Sequence, residues 1–143
     1  MVTFMPIRCE IVSQDRIVFE DDVDIVLLPG ADGDMGILPN HSPLLTIINY
    51  GIITIRRNGE EQHFTVAGGI AEVQPDQVTV LADAAENVEE IDISRAEEAR
   101  KNAERILTEE TEPSEDEYLK IQATLRRSML RINAVKRFRQ QRY

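Results

Sequence analysis

Residues 29–45 read Pro29-Gly30-Ala31-Asp32-Gly33-Asp34-Met35-Gly36-Ile37-Leu38-Pro39-Asn40-His41-Ser42-Pro43-Leu44-Leu45. Three glycines, three prolines and one of the chain's two histidines sit here between apolar runs. Glycine permits backbone angles that other residues resist. Proline fixes φ and lacks a donor. The stretch is therefore neither a continuous strand nor a helix, and it predicts a structured turn region between strands. A catalytic loop around His41 is the competing reading, and it needs partner residues from elsewhere.

Outward from that stretch, the first 85 residues alternate as β-structure does. Ile7, Cys9 and Ile11 share one side of a strand, and Ile17–Phe19 returns after Ser13-Gln14-Asp15. Val23–Leu28 runs to a break at Pro29-Gly30. Leu44–Ile48 and Ile52–Ile55 read as two strands around Asn49-Tyr50-Gly51, and Asn58-Gly59 marks a type I′ hairpin. Phe64–Ala67, Ile70–Val73 and Val78–Leu81 follow, divided by Gly68-Gly69 and by Gln74–Gln77. Some eight to ten short strands with turns every ~8–12 residues are the signature of a sandwich or barrel.

At Glu86 the pattern changes to helical. Asp92 suits an N-cap, and Ala96, Ala99, Ala103, Ile106 and Leu107 fall on one face. Ser114-Glu115-Asp116-Glu117 is a capping box opening a second helix, along which Tyr118, Ile121, Leu125, Met129, Ile132 and Val135 recur at helical spacing. A polar link over Thr108–Pro113 predicts antiparallel neighbours. The fold class is thus an N-terminal antiparallel β-sandwich over residues 1–86, then a two-helix antiparallel hairpin over 87–143 with helices near 93–109 and 115–138. The first helix packs mostly alanines, and each buried methyl contributes only ~0.8 kcal/mol. Docking both helices on the β domain is then expected to be worth only about a few kcal/mol, a scale that a ligand or partner can shift.

The net charge of −10 argues against nucleic acid as a partner. It is unevenly spread. Residues 1–85 and 86–117 each hold 13 acids and 4 bases, whereas residues 118–143 hold no acid and 8 bases. Cys9 stands alone, so it forms no internal disulfide and is read as a buried structural thiol. Residues 1–10 do not read as a signal peptide, and no apolar run approaches the ~20 residues of a membrane span.

The search for chemistry returns little. Neither G-x-x-x-x-G-K-[ST] nor G-x-G-x-x-G occurs. A metal would have to use His41 and His63 with Asp32 or Asp34, a spacing that matches no recognised site, so none is expected. Ser42 beside His41 fails as a nucleophile pair, because adjacent extended residues point apart. No catalytic residue emerges, and a β-sandwich hydrolase is the weakest of the function classes.

Gly36-Ile37-Leu38-Pro39-Asn40-His41-Ser42-Pro43-Leu44, with Ala67-Gly68-Gly69-Ile70-Ala71 and Ile91-Asp92-Ile93-Ser94-Arg95-Ala96, closely resembles the epsilon subunit of F-type ATP synthases. The match keeps its order along nearly the whole chain. The resemblance implies a non-catalytic rotor subunit at the foot of the central stalk, against the gamma subunit and the ring of c subunits. Proton or sodium flow through that ring would be coupled to rotation and ATP synthesis. It places the complex on the cytoplasmic face of a bacterial plasma membrane, or on an organelle membrane. Asp32, Asp34, Met35 and His41 become candidate contacts to gamma or the c ring, with the glycines and prolines holding that edge rigid.

The resemblance also implies that the helical hairpin meets the alpha and beta catalytic subunits and suppresses ATP hydrolysis. Arg126, Arg127, Arg131, Lys136 and Arg137 would supply the basic face; the plainer reading is a solvated face offsetting the acidic first helix. Some members bind ATP as a regulatory ligand. Ile91, Asp92, Arg95 and Ala96 match that motif, Glu86 precedes it at a compatible distance, and Arg127 and Arg131 match the second-helix arginines. Asn102 departs from the pattern, standing where good binders carry another arginine. A free-standing ATP sensor is the alternative function.

Overall fold

The structure, a computed structural model, describes residues 5–109 and 113–139. The chain divides into two compact units on either side of the Val88–Glu89 bond. Among the described residues, the first unit holds β1 (Ile7–Ser13), β2 (Arg16–Val23), β3 (Ile25–Gly30), β4 (Gly33–Ile37), β5 (Leu44–Arg57), β6 (Glu60–Val73), β7 (Gln77–Ala82) and β8 (Ala85–Asn87). They form one hydrogen-bonded path, β2-β1-β7-β6-β5-β3-β4, with β8 on β6. Every pairing is antiparallel except β1 with β7.

Two long strands fold this path into a sandwich. The sequence reading split each of them in two, whereas β5 and β6 run unbroken for 14 residues apiece. They bend at Gly51 and at Gly68-Gly69. The near half of β5 and far half of β6 join β7, β1 and β2, and the other halves join β3, β4 and β8. The bend needs glycine. Gly68 and Gly69 have φ of 88° and 145°, and a Cβ on Gly69 would lie 2.3 Å from the Leu81 carbonyl oxygen. A Cβ on Gly51 would lie 2.7 Å from the Pro29 ring.

The central stretch also differs from its reading. Pro29 and Gly30 do not lie beyond the strand; they are the last two residues of β3, and a further break falls earlier, at Asp24. Residues 33–37 return as β4, with Pro29 opposite Asp34 and Gly30 opposite Gly33. Pro29 is tolerated because the β3–β5 register shifts between Leu27 and Gly30, where its missing donor is not required. The tight turns at Gln14-Asp15 and Asn58-Gly59 take positive φ, as those residue types allow.

Inward side chains of both layers, among them Ile7, Ile11, Val26, Leu28, Ile53, Phe64 and Val80, form the core, and Phe19 meets Phe64 edge-on at 5.3 Å. Cys9 is part of it; burial, helped by the Glu10 charge, pushes its thiol up to about 12. The layers are laced at one edge. Arg57 pairs with Asp21, the Asn58 N–H donates to Asp24 Oδ2 (2.8 Å), and the Asp24 N–H to the Arg56 carbonyl (2.9 Å).

The second unit holds a 3-10 turn (Val88–Glu90 spans its boundary), α1 (Ile93–Glu109) and α2 (Glu115–Phe138). Asp92 Oδ1 accepts from the Arg95 N–H (3.1 Å), and Ser114 Oγ from the Glu117 N–H (3.2 Å), so both caps form. Arg139, at the end of α2, donates to the Ile91 carbonyl just before α1, which makes the helices antiparallel. The expected Thr108–Pro113 link falls partly on residues 110–112, outside the described residues.

Replacing Gly69 by Ala should cost the β unit roughly 3 kcal/mol, from positive φ plus overpacking. Gly59→Ala, also at positive φ but with open space around its Cβ, should cost about 1 kcal/mol. Urea unfolding checks the pair; equal losses would mean that the close approach to Leu81 contributes nothing.

Candidate functional site

The outer face of the β2-β1-β7-β6-β5 layer carries apolar side chains where a solvated sheet would be polar. Register aligns Ile17 with Val12, Val12 with Leu81, Leu81 with Ile70, and Ile70 with Ile47. The row crosses five strands. Ile17, Ile47, Ile70, Leu81 and the adjacent Leu45 are 46–71% exposed. A contiguous exposed apolar patch of this kind marks an interaction surface.

The row has charged borders. On one side the next register positions are Glu20, Glu10, Thr79 and Glu72, with Arg8 bonded to Glu20 (2.6 Å) and Asp22 (3.5 Å). On the other, Asp83 follows Ala82 and its N–H donates to the Gly68 carbonyl (2.9 Å). At the β5 end the Ala31 N–H donates to the Ile47 carbonyl (3.0 Å), which brings the β3–β4 turn to the end of the row. Asp32 and Asp34 are exposed there and Met35 is half-buried.

His41 lies in the following loop. Asn40, at φ 68°, donates its N–H to the Pro75 carbonyl (2.7 Å), pinning the loop to the β6–β7 turn, and His41 Nδ1 lies 2.7 Å from the Ser42 carbonyl. That contact positions the ring and relays no proton to a nucleophile. His63 is elsewhere, with Nδ1 3.1 Å from Thr54 Oγ1 and Nε2 3.8 Å from Glu61. Among the described residues no three His, Cys, Asp or Glu side chains converge to hold a metal ion.

The apolar row was missed in the sequence because each strand was read for one buried face. The signal was present in Ile11-Val12, in Ile47-Ile48 and in Val80-Leu81. Apolar residues at successive positions mean that both faces of a strand are covered.

In the helical unit, Ile91 and Ala96 are buried, so they act by packing. Asp92 is exposed and occupied as a cap; Arg95 and Arg127 are exposed; Arg131 is half-buried. With Arg139 beside Ile91, a rise of about 1.5 Å per residue sets Val135 level with Arg95, Arg131 with Ala99 and Arg127 with Ala103. Arg131 and Arg127 therefore stand about one and two turns beyond Arg95 along the hairpin. Arg126, Lys136 and Arg137 are exposed, and Arg137 stacks on Phe138 at 5.0 Å. Glu86 belongs to the other unit, half-buried in β8 opposite Thr65. No described helix is long and apolar enough to cross a membrane.

Comparison with known proteins bears on both units. Residues 6–88 match the model for the beta-sandwich domain of the ATP synthase delta/epsilon chain, and residues 89–136 the model for its long alpha-helix domain. The chain is 42% identical over 133 residues to the ATP synthase epsilon chain of Dehalococcoides mccartyi, covering 93% of this chain and 94% of that one. It is 49% identical over 104 residues to that of Pelotomaculum thermopropionicum, covering 73% and 78%. Its fold is similar to a chain in the Euglena gracilis mitochondrial ATP synthase OSCP/F1/c-ring structure, with a TM-score of 0.69 at 22% identity over 85% of this chain and 76% of that one. A chain of the Tetrahymena thermophila mitochondrial ATP synthase central stalk and c-ring structure gives 0.56 at 10% identity, covering 94% and 99%.

Proposed function

The chain belongs to the epsilon chains of F-type ATP synthases, non-catalytic subunits of a membrane-associated complex, and from that premise we propose that it is a rotor subunit docked through the outer face of its β unit. The observation that carries the reading is the apolar row Ile17–Val12–Leu81–Ile70–Ile47. Gamma is the partner for this row. Its surface would present an apolar centre with basic residues around it, matching the acidic borders. The turn bearing Asp32, Asp34 and Met35 would face the c ring, so that the subunit couples proton or sodium flow to rotation on the cytoplasmic face of the membrane. His41, in the pinned loop, lies next in sequence to that edge.

The helical hairpin is the regulatory part. Arg126, Arg127, Lys136 and Arg137, with Arg131, give α2, which carries no acid beyond Glu117, a basic surface that suits acidic patches on the alpha and beta subunits, where it would suppress hydrolysis. ATP is the ligand that would hold the helices together, through Arg95, Arg127 and Arg131, with Asp92 at the motif and Glu86 before it. Guanidinium forks match phosphate oxygens.

Ile70→Glu, between Leu81 and Ile47 in the row, should weaken binding to purified gamma by at least ~30-fold, as loss of a hot-spot contact does, while the melting temperature stays near wild type. Undiminished binding would move the docking face elsewhere. Replacing Arg127, Arg131 and Arg137 by Ala should raise ATP hydrolysis by the assembled enzyme, and an unchanged rate would remove the inhibitory role. Titration calorimetry with millimolar ATP should give a heat with the wild-type chain that Arg127→Ala and Arg131→Ala abolish; no heat with wild type ends the ATP reading.

A further inference from the structure

The C-cap residue that follows α2, Arg139, reaches back across the hairpin. Arg139 keeps helical angles (φ −78°, ψ −36°), and its own N–H donates to the Val135 carbonyl at 3.0 Å. The root of the side chain is thereby fixed. Its guanidinium donates to the Ile91 carbonyl, a part-buried contact spanning 48 positions of sequence. That carbonyl lies one residue before the N-cap, and α1 has no use for it: the helix starts with Asp92, whose carbonyl takes the Ala96 N–H (3.1 Å) and whose carboxylate takes the Arg95 N–H.

The geometry points to Arg139 as the clasp of the hairpin, a single charged donor that ties the end of α2 to the start of α1 and sets how readily the two helices part. The rest of the seam makes this effective. Its buried positions on α1 are Ala96 and Ala103, which bury little area, and on α2 they are Ile132, Ala134, Val135 and Ser128, whose hydroxyl is spent on the Thr124 carbonyl (2.8 Å). With only alanines buried on the α1 side, one charge-assisted hydrogen bond contributes a substantial share of the closing free energy. The other arginines of α2 do not substitute for it. Arg131 and Arg127 stand about two and three turns back along the helix. The use of this clasp in regulation rests on the reading of the hairpin as the regulatory part.

Hydrogen exchange on the full chain tests it. Arg139→Ala should speed exchange of the amides of both helices, over residues 95–103 and 128–138, by about tenfold, the factor that one hydrogen bond to a charged group supplies. Amides of the β unit should keep wild-type rates. Arg139→Lys, which keeps the charge but has no fork, should fall between. Unchanged exchange in Arg139→Ala overturns the clasp, as does a rise confined to the last turn of α2, which would make Arg139 a local end-cap. Faster exchange in both helices together with an unaltered hydrolysis rate in the assembled enzyme upholds the clasp and removes the inhibitory reading instead.

Discussion

The β unit depends on one close approach, that of the Gly69 backbone to the carbonyl of Leu81. No side chain fits between them, and the φ of 145° at Gly69 suits only glycine. From that point β6 turns out of one layer and into the other, and β5 follows it at Gly51 under the Pro29 ring. A hairpin of two straight 14-residue strands would give a flat ribbon with no inside. Bent at these glycines, the same hairpin contributes to both layers and encloses Ile48, Ile53, Phe64 and Ala71 between them. The corner also aligns Ile70 beside Leu81, so the exposed apolar row exists because the bend does.

Much of this was legible in the residues. Alternation gave the strand class, Asn58-Gly59 gave its hairpin, and Asp92 and Ser114 cap the helices as their types require. What failed was the treatment of glycine as punctuation. Gly51 and Gly68-Gly69 interrupt apolar runs, and locally nothing distinguishes a turn between two strands from a corner within one. The difference lies in the partners: β7 pairs with β6 on one side of the corner, over Gly69–Val73, and β8 on the other, over Phe64–Val66, so the corner shows only in which strands flank it. Pro29 misled in the same way. A proline within a strand is tolerable only where the facing register slips, and the slip is a property of β3 and β5 together.

The site was legible unevenly. Asp32 and Asp34 were singled out as a tip, and they sit at one end of a row whose other members went unread. Charges and prolines attract attention in a sequence, whereas outward-facing Ile47, Ile70 and Leu81 pass as core. Only cross-strand register shows that they share a face. The helical residues illustrate the converse. Ile91 and Ala96 stood out as part of a motif, yet their burial assigns them to packing, and Arg139, which no motif includes, makes the long-range contact.

The two units also differ in how they are stabilised, and that difference suits a division of labour. The β unit buries Ile, Val, Leu and Phe side chains from every major strand, each worth ~1.5–3 kcal/mol on removal from water. A surface presented by such a frame loses little conformational entropy when it binds, which favours permanent docking. The hairpin has alanines on the α1 side of its seam and charge along its length: residues 86–117 hold 13 acids and 4 bases, and residues 118–143 carry no acid at all. Its closure is therefore a small difference between modest terms, sensitive to salt, phosphate or an acidic protein surface. A segment meant to remain in one state would have placed leucines where Ala96 and Ala103 stand. The sequence instead keeps the α1 side of the seam thin and the charges sorted, and this is the physical basis of the proposal that one unit anchors and the other regulates.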